Sequence, residues 1–322
     1  MNLIVQKFGG SSVRDAKHLR NVAAIIADSR RQGNALIVVL SAQGDTTDDL
    51  LGKARELSDA PSPRELDALL SAGEQISVAL CAILLEEMGI PAVSLHGWQV
   101  GIHTEDLHGD ARILQIDRDR IMQELAAGKI VLVAGFQGID SYVDITTLGR
   151  GGSDTTAVAL AAAFAARRCE IYTDVDGVYT ADPRLVPRAK KYDVIDSEEM
   201  LQLALCGAQV LHSRSVELAR DGDVSLMVLS SLCLGSGTTV APRRNGNVPH
   251  FAGVTREGGT VSVVGSGLSG VGDALQRLLR CLRDAGLTIL DTGQTDSRVY
   301  ARTEERESLQ ALLAAHSEFF ES

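Results

Sequence analysis

The chain has 322 residues, 45% of them hydrophobic and only 4% aromatic, with 31 glycines. That is enough apolar material for one large or two modest domains packed with small aliphatic side chains, the composition of layered α/β enzymes. The formal net charge of −11 disfavours nucleic acid or an anionic membrane as main partner, although local charge in a pocket can still hold an anionic substrate.

Residues 3–6 read as a short buried strand, and Phe8-Gly9-Gly10-Ser11-Ser12 as the loop after it. Helical spacing of Leu19, Val22, Ala23 and Ile26 predicts a helix over 15–29, closed by Gln32-Gly33-Asn34. A second buried strand, 35–40, leads into Ser41-Ala42-Gln43-Gly44-Asp45-Thr46-Thr47. Residues 65–87 read as helical with a break near Ser71-Ala72-Gly73, and 92–95 and 130–134 as further strands. Ser153 opens an alanine-rich helix, and 170–174 is another buried strand. Strands alternating with helices predict a mainly parallel sheet covered on both faces, a three-layer αβα sandwich.

Pro, Gly, Asn and Arg cluster over 239–248 (TVAPRRNGNV), placing a boundary between a first domain, 1–243, and a tail module, 249–322. The tail reads strand (251–255), strand (261–264), helix (271–285), strand (287–290), strand (298–302), helix (305–316), a small α+β module. The five cysteines, Cys81, Cys169, Cys206, Cys233 and Cys281, lie far apart with no CxxC pair, which argues against a disulfide framework or structural zinc. The opening MNLIVQKFGGSS turns glycine-rich too soon for a signal peptide. No uninterrupted apolar run reaches the roughly 20 residues that span a bilayer, so a cytoplasmic protein with no membrane partner is expected.

Three clusters carry chemistry. In Lys7-Phe8-Gly9-Gly10-Ser11-Ser12, a glycine pair directly after a buried strand lets backbone N–H groups approach phosphate oxygens, with a lysine at the strand end as a fixed cation. An ordinary tight turn with a solvated lysine explains the same residues equally well. Thr147-Leu148-Gly149-Arg150-Gly151-Gly152-Ser153-Asp154 packs three glycines, a cation, a hydroxyl and a carboxylate at a helix start. Arg150 suits bidentate capture of a carboxylate or phosphate. Asp154 can hold Lys7 or bind Mg²⁺, and Ser153 or Asp154 can cap the helix. The third cluster, Thr173-Asp174-Val175-Asp176-Gly177-Val178-Tyr179-Thr180-Ala181-Asp182-Pro183-Arg184, follows a buried strand and so sits where α/β folds bind ligands. Tyr179 can line a base and Arg184 can meet phosphates, or the acidic stretch can be a plain solvated turn.

Gly265-Ser266-Gly267-Leu268-Ser269-Gly270 matches GxGxxG, with Asp291 about 20 residues on, as in dinucleotide sites. The short remainder of the chain cannot complete a Rossmann sheet, so a glycine-rich turn in the tail module is preferred. P-loop, protein-kinase and nucleophile-elbow signatures are absent. His103 and His108 read as loop residues rather than metal ligands, and Trp98 as core.

Taken in this order, the clusters resemble the aspartokinases of the amino-acid kinase superfamily, with similarity from Val5 to about Ala241. Besides the three clusters it includes Val39-Leu40-Ser41-Ala42-Gln43-Gly44-Asp45-Thr46-Thr47-Asp48, Ser71-Ala72-Gly73-Glu74, Gly135-Phe136-Gln137-Gly138, Gly207-Ala208-Gln209-Val210-Leu211-His212 and Ser230-Ser231. The resemblance implies the amino-acid kinase fold and ATP-dependent phosphorylation of the side-chain carboxylate of L-aspartate, an early step toward lysine, threonine and methionine. Lys7 would stabilise the transferring phosphoryl group, with Gly9 and Gly10 donating N–H groups and Ser11 keeping a hydroxyl where Thr is usual. Thr46, Glu74 and Arg150 would hold aspartate, Arg150 by its carboxylate and Glu74 by its ammonium. Ser153 and Asp154 would order the phosphate side. Thr173, Asp174, Tyr179 and Arg184 would bind ATP, with Mg²⁺ bridging its phosphates.

Gln209 stands where many relatives have a lysine near the leaving phosphates, with Lys190 and Lys191 as candidate replacements, and Ser213 replaces a common proline. The family's tail usually holds two ACT modules that bind feedback amino acids. Here 260–320 resembles one ferredoxin-like ACT module, lacking its last strand, and of the other only 251–255 remains. That strand is expected to fill the missing edge, giving a single module that pairs across a homodimer and a kinase weakly inhibited by lysine and threonine. Two alternatives are a same-fold kinase for a related acidic amino acid in a specialised pathway and a catalytically weak ligand sensor.

Overall fold

The computed structural model describes residues 2–233, 235–242 and 250–321. They pack as two compact units, one of Met1–Asp176 with Asp221–Ser236, the other of Gly177–Arg220 with Gly237–Ser322. Residues 243–249, which hold the boundary read from composition, lie outside the described residues. The packing units divide the chain elsewhere, because 177–220 pack with the tail.

In the first unit, six parallel strands lie in the order β11-β9-β1-β2-β6-β3. They are β1 (Leu3–Phe8), β2 (Ala35–Leu40), β3 (Ala92–Leu95), β6 (Ile130–Ala134), β9 (Arg168–Thr173) and β11 (Leu226–Ser230). Nearly continuous apolar runs such as ALIVVL and IVLVA form strands buried on both faces, as a covered parallel sheet requires. The period of two sorts their side chains. Ile4, Leu36, Val38, Leu40, Leu132 and Ala134 join a core with the helices Ala16–Arg31 and Ala72–Glu87. Val5, Ile37, Val39, Val131 and Val133 are equally buried on the opposite face, where the helix Gly152–Ala163 packs on β1, β2 and β9. This is the expected three-layer sandwich. Asp15 caps the first long helix, its carboxylate accepting the His18 N–H at 2.9 Å.

The helical stretch 65–87 is broken as expected, into Pro63–Leu70 and Ala72–Glu87. By length and composition Pro63–Glu87 is long and apolar enough to cross a membrane: an 18-residue stretch within it has a mean hydropathy of 1.8, and 44% of that stretch is buried. Glu74 and Gln75 interrupt its apolar run, and Arg64, Glu65 and Asp67 sit at one end.

A second sheet went unread in the sequence because its strands are only three or four residues long. It runs β5-β4-β7-β8, from β4 (Ile102–Thr104), β5 (Ile113–Ile116), β7 (Gln137–Ile139) and β8 (Ile145–Thr147). His103 therefore lies in a strand rather than a loop, with Nε2 3.0 Å from Asp117 Oδ2. Trp98 is not core either: it is 52% exposed, its ring edge-on to His96.

The second unit holds a parallel pair, β10 (Val194–Asp196) with β12 (Thr238–Ala241), and a four-stranded antiparallel sheet. That sheet runs β13 (His250–Glu257), β14 (Thr260–Ser266), β16 (Arg298–Arg302), β15 (Asp291–Gln294). The helices Ala274–Asp284 and Ser308–His316 pack against it and each other. From β14 onward this is a ferredoxin-like order lacking its last strand. β13 occupies that place, antiparallel to β14, as expected of 251–255. The strand expected at 287–290 instead begins at Asp291, because Leu287 turns into the core while Leu290 is exposed. The glycines at 265–270 lie between an antiparallel strand and a single 3₁₀ turn, and the next helix starts only at Ala274. No dinucleotide crevice forms there. Gly265 is needed because a Cβ would stand 2.1 Å from His250 O.

Candidate active site

β1, β2, β6 and β9 end at Phe8, Leu40, Ala134 and Thr173, so four of the sequence motifs leave the same carboxyl edge of the sheet. Lys7, one residue before the end of β1, places Nζ 2.6 Å from Asp154 Oδ1, both side chains nearly buried. The two form a close, nearly buried ion pair.

After β1 the chain turns directly into a short helix, Gly10–Val13, where a loop was expected. Gly10 is required by close approach: a Cβ there would lie 2.9 Å from Ala42 O. The two motif loops therefore touch backbone to backbone. Gly9 donates its N–H to Tyr172 O at 3.3 Å, and a Cβ on it would sit 3.3 Å from Lys7 Nζ. Ser11 is exposed.

Glu74 enters from the first turn of the Ala72–Glu87 helix. It is buried, with one oxygen accepting the Ala42 N–H at 3.1 Å and the other, Oε2, without a partner. Burial pushes its pKa up to about 7, opposed only by backbone hydrogen bonds from Ala42 and its own amide. Gly73 lets this helix meet the loop, since a Cβ there would lie 2.7 Å from Ala42 Cβ and 3.6 Å from Thr46 Cγ2. Thr46 opens the helix Thr46–Leu57 rather than staying in the loop, and donates its hydroxyl to Gln43 O at 2.6 Å.

Residues 147–154 are held in a shape that only glycine supplies easily. Gly149 and Gly151 both have φ +70°, and Gly151 is the helix N-cap. Ser153 and Asp154 therefore lie inside the first turn rather than capping it. Arg150, between the two left-handed glycines, is exposed and has no hydrogen-bond or ion-pair partner among the described residues. Ser153 is buried against Gly135, whose Cβ would lie 2.7 Å from Ser153 Oγ.

Sequence reasoning missed Asp67. It is 1% exposed and accepts from Thr147 N (2.9 Å), Thr147 Oγ1 (2.6 Å) and Gly109 N (2.9 Å), with His108 Nδ1 at 3.1 Å. It pins the first residue of the Arg150 loop. The available signal was an acid amid the leucines of RELDALL, on the helix's inward face. Glu170 was missed for the same reason: it is buried, bonded to Gln6 Nε2 (2.8 Å), Arg168 Nε (2.7 Å) and Tyr172 OH (3.1 Å), beside the Phe8–Tyr172 ring stack.

The residues expected to meet ATP divide between the units. Thr173 and Asp174 end β9 in the first, the Thr173 hydroxyl donating to Asp174 Oδ1 at 3.0 Å. Tyr179 and Arg184 belong to the second, on a hairpin in which 178–180 run antiparallel to 190–192. Tyr179 is half-buried and Arg184 exposed, its guanidinium on Asp182 at 2.9 Å, which holds that carboxyl below its usual range. Gln209 is exposed beyond the helix Ser197–Leu205. Lys190 Nζ donates to Phe320 O at 3.2 Å.

A sequence profile of the amino acid kinase family matches residues 2–230. An aspartokinase of Mycolicibacterium smegmatis is 45% identical over 333 residues, covering 99% of this chain and 79% of the relative. One from Geobacillus stearothermophilus is 55% identical over 240 residues, 74% of this chain, and the chain spans only 59% of that relative's length. Among solved structures, aspartokinase III of E. coli in complex with aspartate and ADP superposes with a TM-score of 0.84 at 23% identity, over 99% of this chain and 100% of that one. Aspartate kinase from Synechocystis superposes at 0.69 with 32% identity, over 98% and 69%. The chain belongs to the amino acid kinase family, and within it to the aspartokinases.

Proposed function

We propose that the chain transfers the γ-phosphate of ATP to the side-chain carboxylate of L-aspartate, giving 4-phospho-L-aspartate and ADP. The observation that carries this reading is Glu74, a buried carboxylate with one oxygen unmatched, one loop away from the Lys7–Asp154 pair. Such an oxygen is costly unless a cation meets it, and the α-ammonium of an amino acid supplies one. Arg150 then takes the α-carboxylate in a bidentate fork, and Thr46 lies beside the Glu74 helix. The side-chain carboxylate of the substrate is already ionised at neutral pH, so no general base is required. Its oxygen forms the new bond to phosphorus as the β–γ bridging oxygen leaves with ADP. Lys7, held by Asp154, faces the charge on the transferring group.

On the nucleotide side we assign Gly10, Ser11, Ser153, Thr173, Asp174, Tyr179, Arg184 and Gln209. Because the Gly9 amide is spent on Tyr172 O, the phosphate-donor role expected of both glycines passes to Gly10. No group of three His, Cys, Asp or Glu side chains that could hold a metal is gathered among the described residues. Mg²⁺ would enter on the ATP phosphates as part of the substrate, where it neutralises their charge. In this reading 1–243 form the catalytic domain and 249–322 an ACT-like module that pairs across a homodimer, with β15 ending the sheet and no strand paired beyond it among the described residues. A cytoplasmic location agrees with five free cysteines.

Trapping the acyl phosphate as its hydroxamate, with aspartate, ATP and Mg²⁺, tests the reading. The expected result is turnover with aspartate and a loss of about 10²-fold or more in Lys7→Ala. Turnover with another acidic amino acid but not aspartate would reject it.

A further inference from the structure

Thr180, between Tyr179 and Arg184 on the proposed nucleotide hairpin, is 3% exposed, and every polar atom it has is engaged. Its N–H donates to Lys190 O (3.0 Å) and its carbonyl accepts from Val254 N of β13 (2.7 Å). Its hydroxyl oxygen accepts from Lys190 N (2.9 Å) and lies 2.9 Å from Nε2 of His316. His316 ends the last helix of the ACT-like module and is 0% exposed. Its Nδ1 stands 3.2 Å from Glu321 Oε1, its ring stacks on Phe320 at 5.3 Å, and Glu321 is in turn ion-paired to Arg188 of the same hairpin at 2.9 Å. An ionised carboxylate only accepts, so in the neutral imidazole Nδ1 carries the hydrogen and bare Nε2 receives the Thr180 O–H. Every donor and acceptor in this chain is then matched in one direction. The hairpin also feeds the module's core, where Ala181 and Val186 pack in one cluster with Val254, Leu278 and Phe319.

We infer that His316 is a positioning residue for nucleotide binding: through Thr180 it fixes the hairpin that carries Tyr179 and Arg184, so the ACT-like module is a structural part of the ATP site. The inference rests on the reading of that hairpin as nucleotide-binding. A ring buried only to fill space would leave substrate affinities alone, whereas a clamp on the hairpin changes one of them selectively.

The test is steady-state kinetics on the full chain, with ATP and aspartate varied separately. Thr180→Val keeps the shape and removes the hydroxyl. It is expected to raise the KM for ATP at least about fivefold, since the bonds to His316 and to Lys190 N are both lost, with the KM for aspartate within about twofold. Thr180→Ser, which restores the hydroxyl, is expected to return the ATP value to that of the parent. His316→Phe, which leaves the Lys190 bond in place, should also raise the ATP KM, and the double variant should fall short of the product of the two single effects, because the Thr180–His316 bond is common to both. An unchanged ATP KM in Thr180→Val, or equal rises for both substrates, overturns the inference. Should His316→Phe fail to fold, the Val and Ser variants decide alone. Tyr179→Ala separates the two levels: a raised ATP KM in it, with Thr180→Val silent, sinks the clamp only. An unchanged ATP KM in Tyr179→Ala removes the nucleotide reading of the hairpin and the clamp with it.

Discussion

Glu74 sets the pH behaviour of the site. Its pKa in the folded chain is raised by burial from 4.5 to about 7, so between those values the folded protein holds a proton that the unfolded chain has released. The free protein should accordingly lose stability as pH rises from about 4.5 to 7, which urea unfolding at a series of pH values would register. Binding runs the other way, because only the ionised carboxylate attracts an ammonium. The KM for aspartate should rise by up to about tenfold per pH unit below 7, and Glu74→Gln should flatten that dependence while raising KM throughout. A parent profile already flat from pH 5.5 to 8 would exclude Glu74 as the ammonium partner. Asp67 works at one remove. Asp67→Asn keeps the volume but leaves at least one of the donors now on its carboxylate, from Thr147 and Gly109, without an acceptor, at a cost of about 1–3 kcal/mol. Since those donors hold the Arg150 loop, the KM for aspartate should rise more than that for ATP.

At the scale of elements, the site depends on loops brought together by missing side chains. Gly149 has φ +70°, and a Cβ there would meet Asp110 Oδ1 at 2.3 Å. Gly149→Ala therefore adds left-handed strain of about 1–2 kcal/mol and displaces the exposed Asp110 carboxylate. It should lower the melting temperature by several degrees and cut kcat/KM for aspartate at least tenfold, as thermal unfolding and kinetics would show. Gly33→Ala, also at positive φ but with nothing within 4 Å, is the matched control: similar backbone strain with kinetics unchanged. The Phe136 backbone, at φ +70° without being glycine, is held by a hydrogen bond to Thr156 Oγ1 at 3.1 Å on the very helix that Gly152 opens.

At the scale of the molecule, the tail carries one antiparallel sheet. β13 passes into β14 through the two-residue turn Gly258-Gly259, which leaves no chain between them for another βαββαβ module. The single sheet completes itself with β13. A family that binds feedback amino acids with paired modules should here respond weakly, so lysine and threonine at 1 mM are expected to inhibit the hydroxamate reaction by less than about half. Full inhibition at sub-millimolar lysine would show that one module suffices.

The layered α/β class and the parallel strands could be read from the sequence alone, and its motifs point to the reaction class proposed above. Buried parallel strands are written as unbroken apolar runs, and phosphate chemistry needs glycines and fixed charges directly after them. Four of those motifs do leave one sheet edge. The contacts between segments distant in sequence emerged only in three dimensions: Lys7 on Asp154, Asp67 under Thr147, the unmatched oxygen of Glu74, and Thr180 on His316. Short strands such as β4 and β7 were illegible because three residues cannot show a period. Trp98 misled because size and apolarity predict burial only when a neighbouring element covers the ring. The strand at 251–257 could be read locally, but its place beside β14 is a pairing across the sheet, and pairing partners leave no local signature.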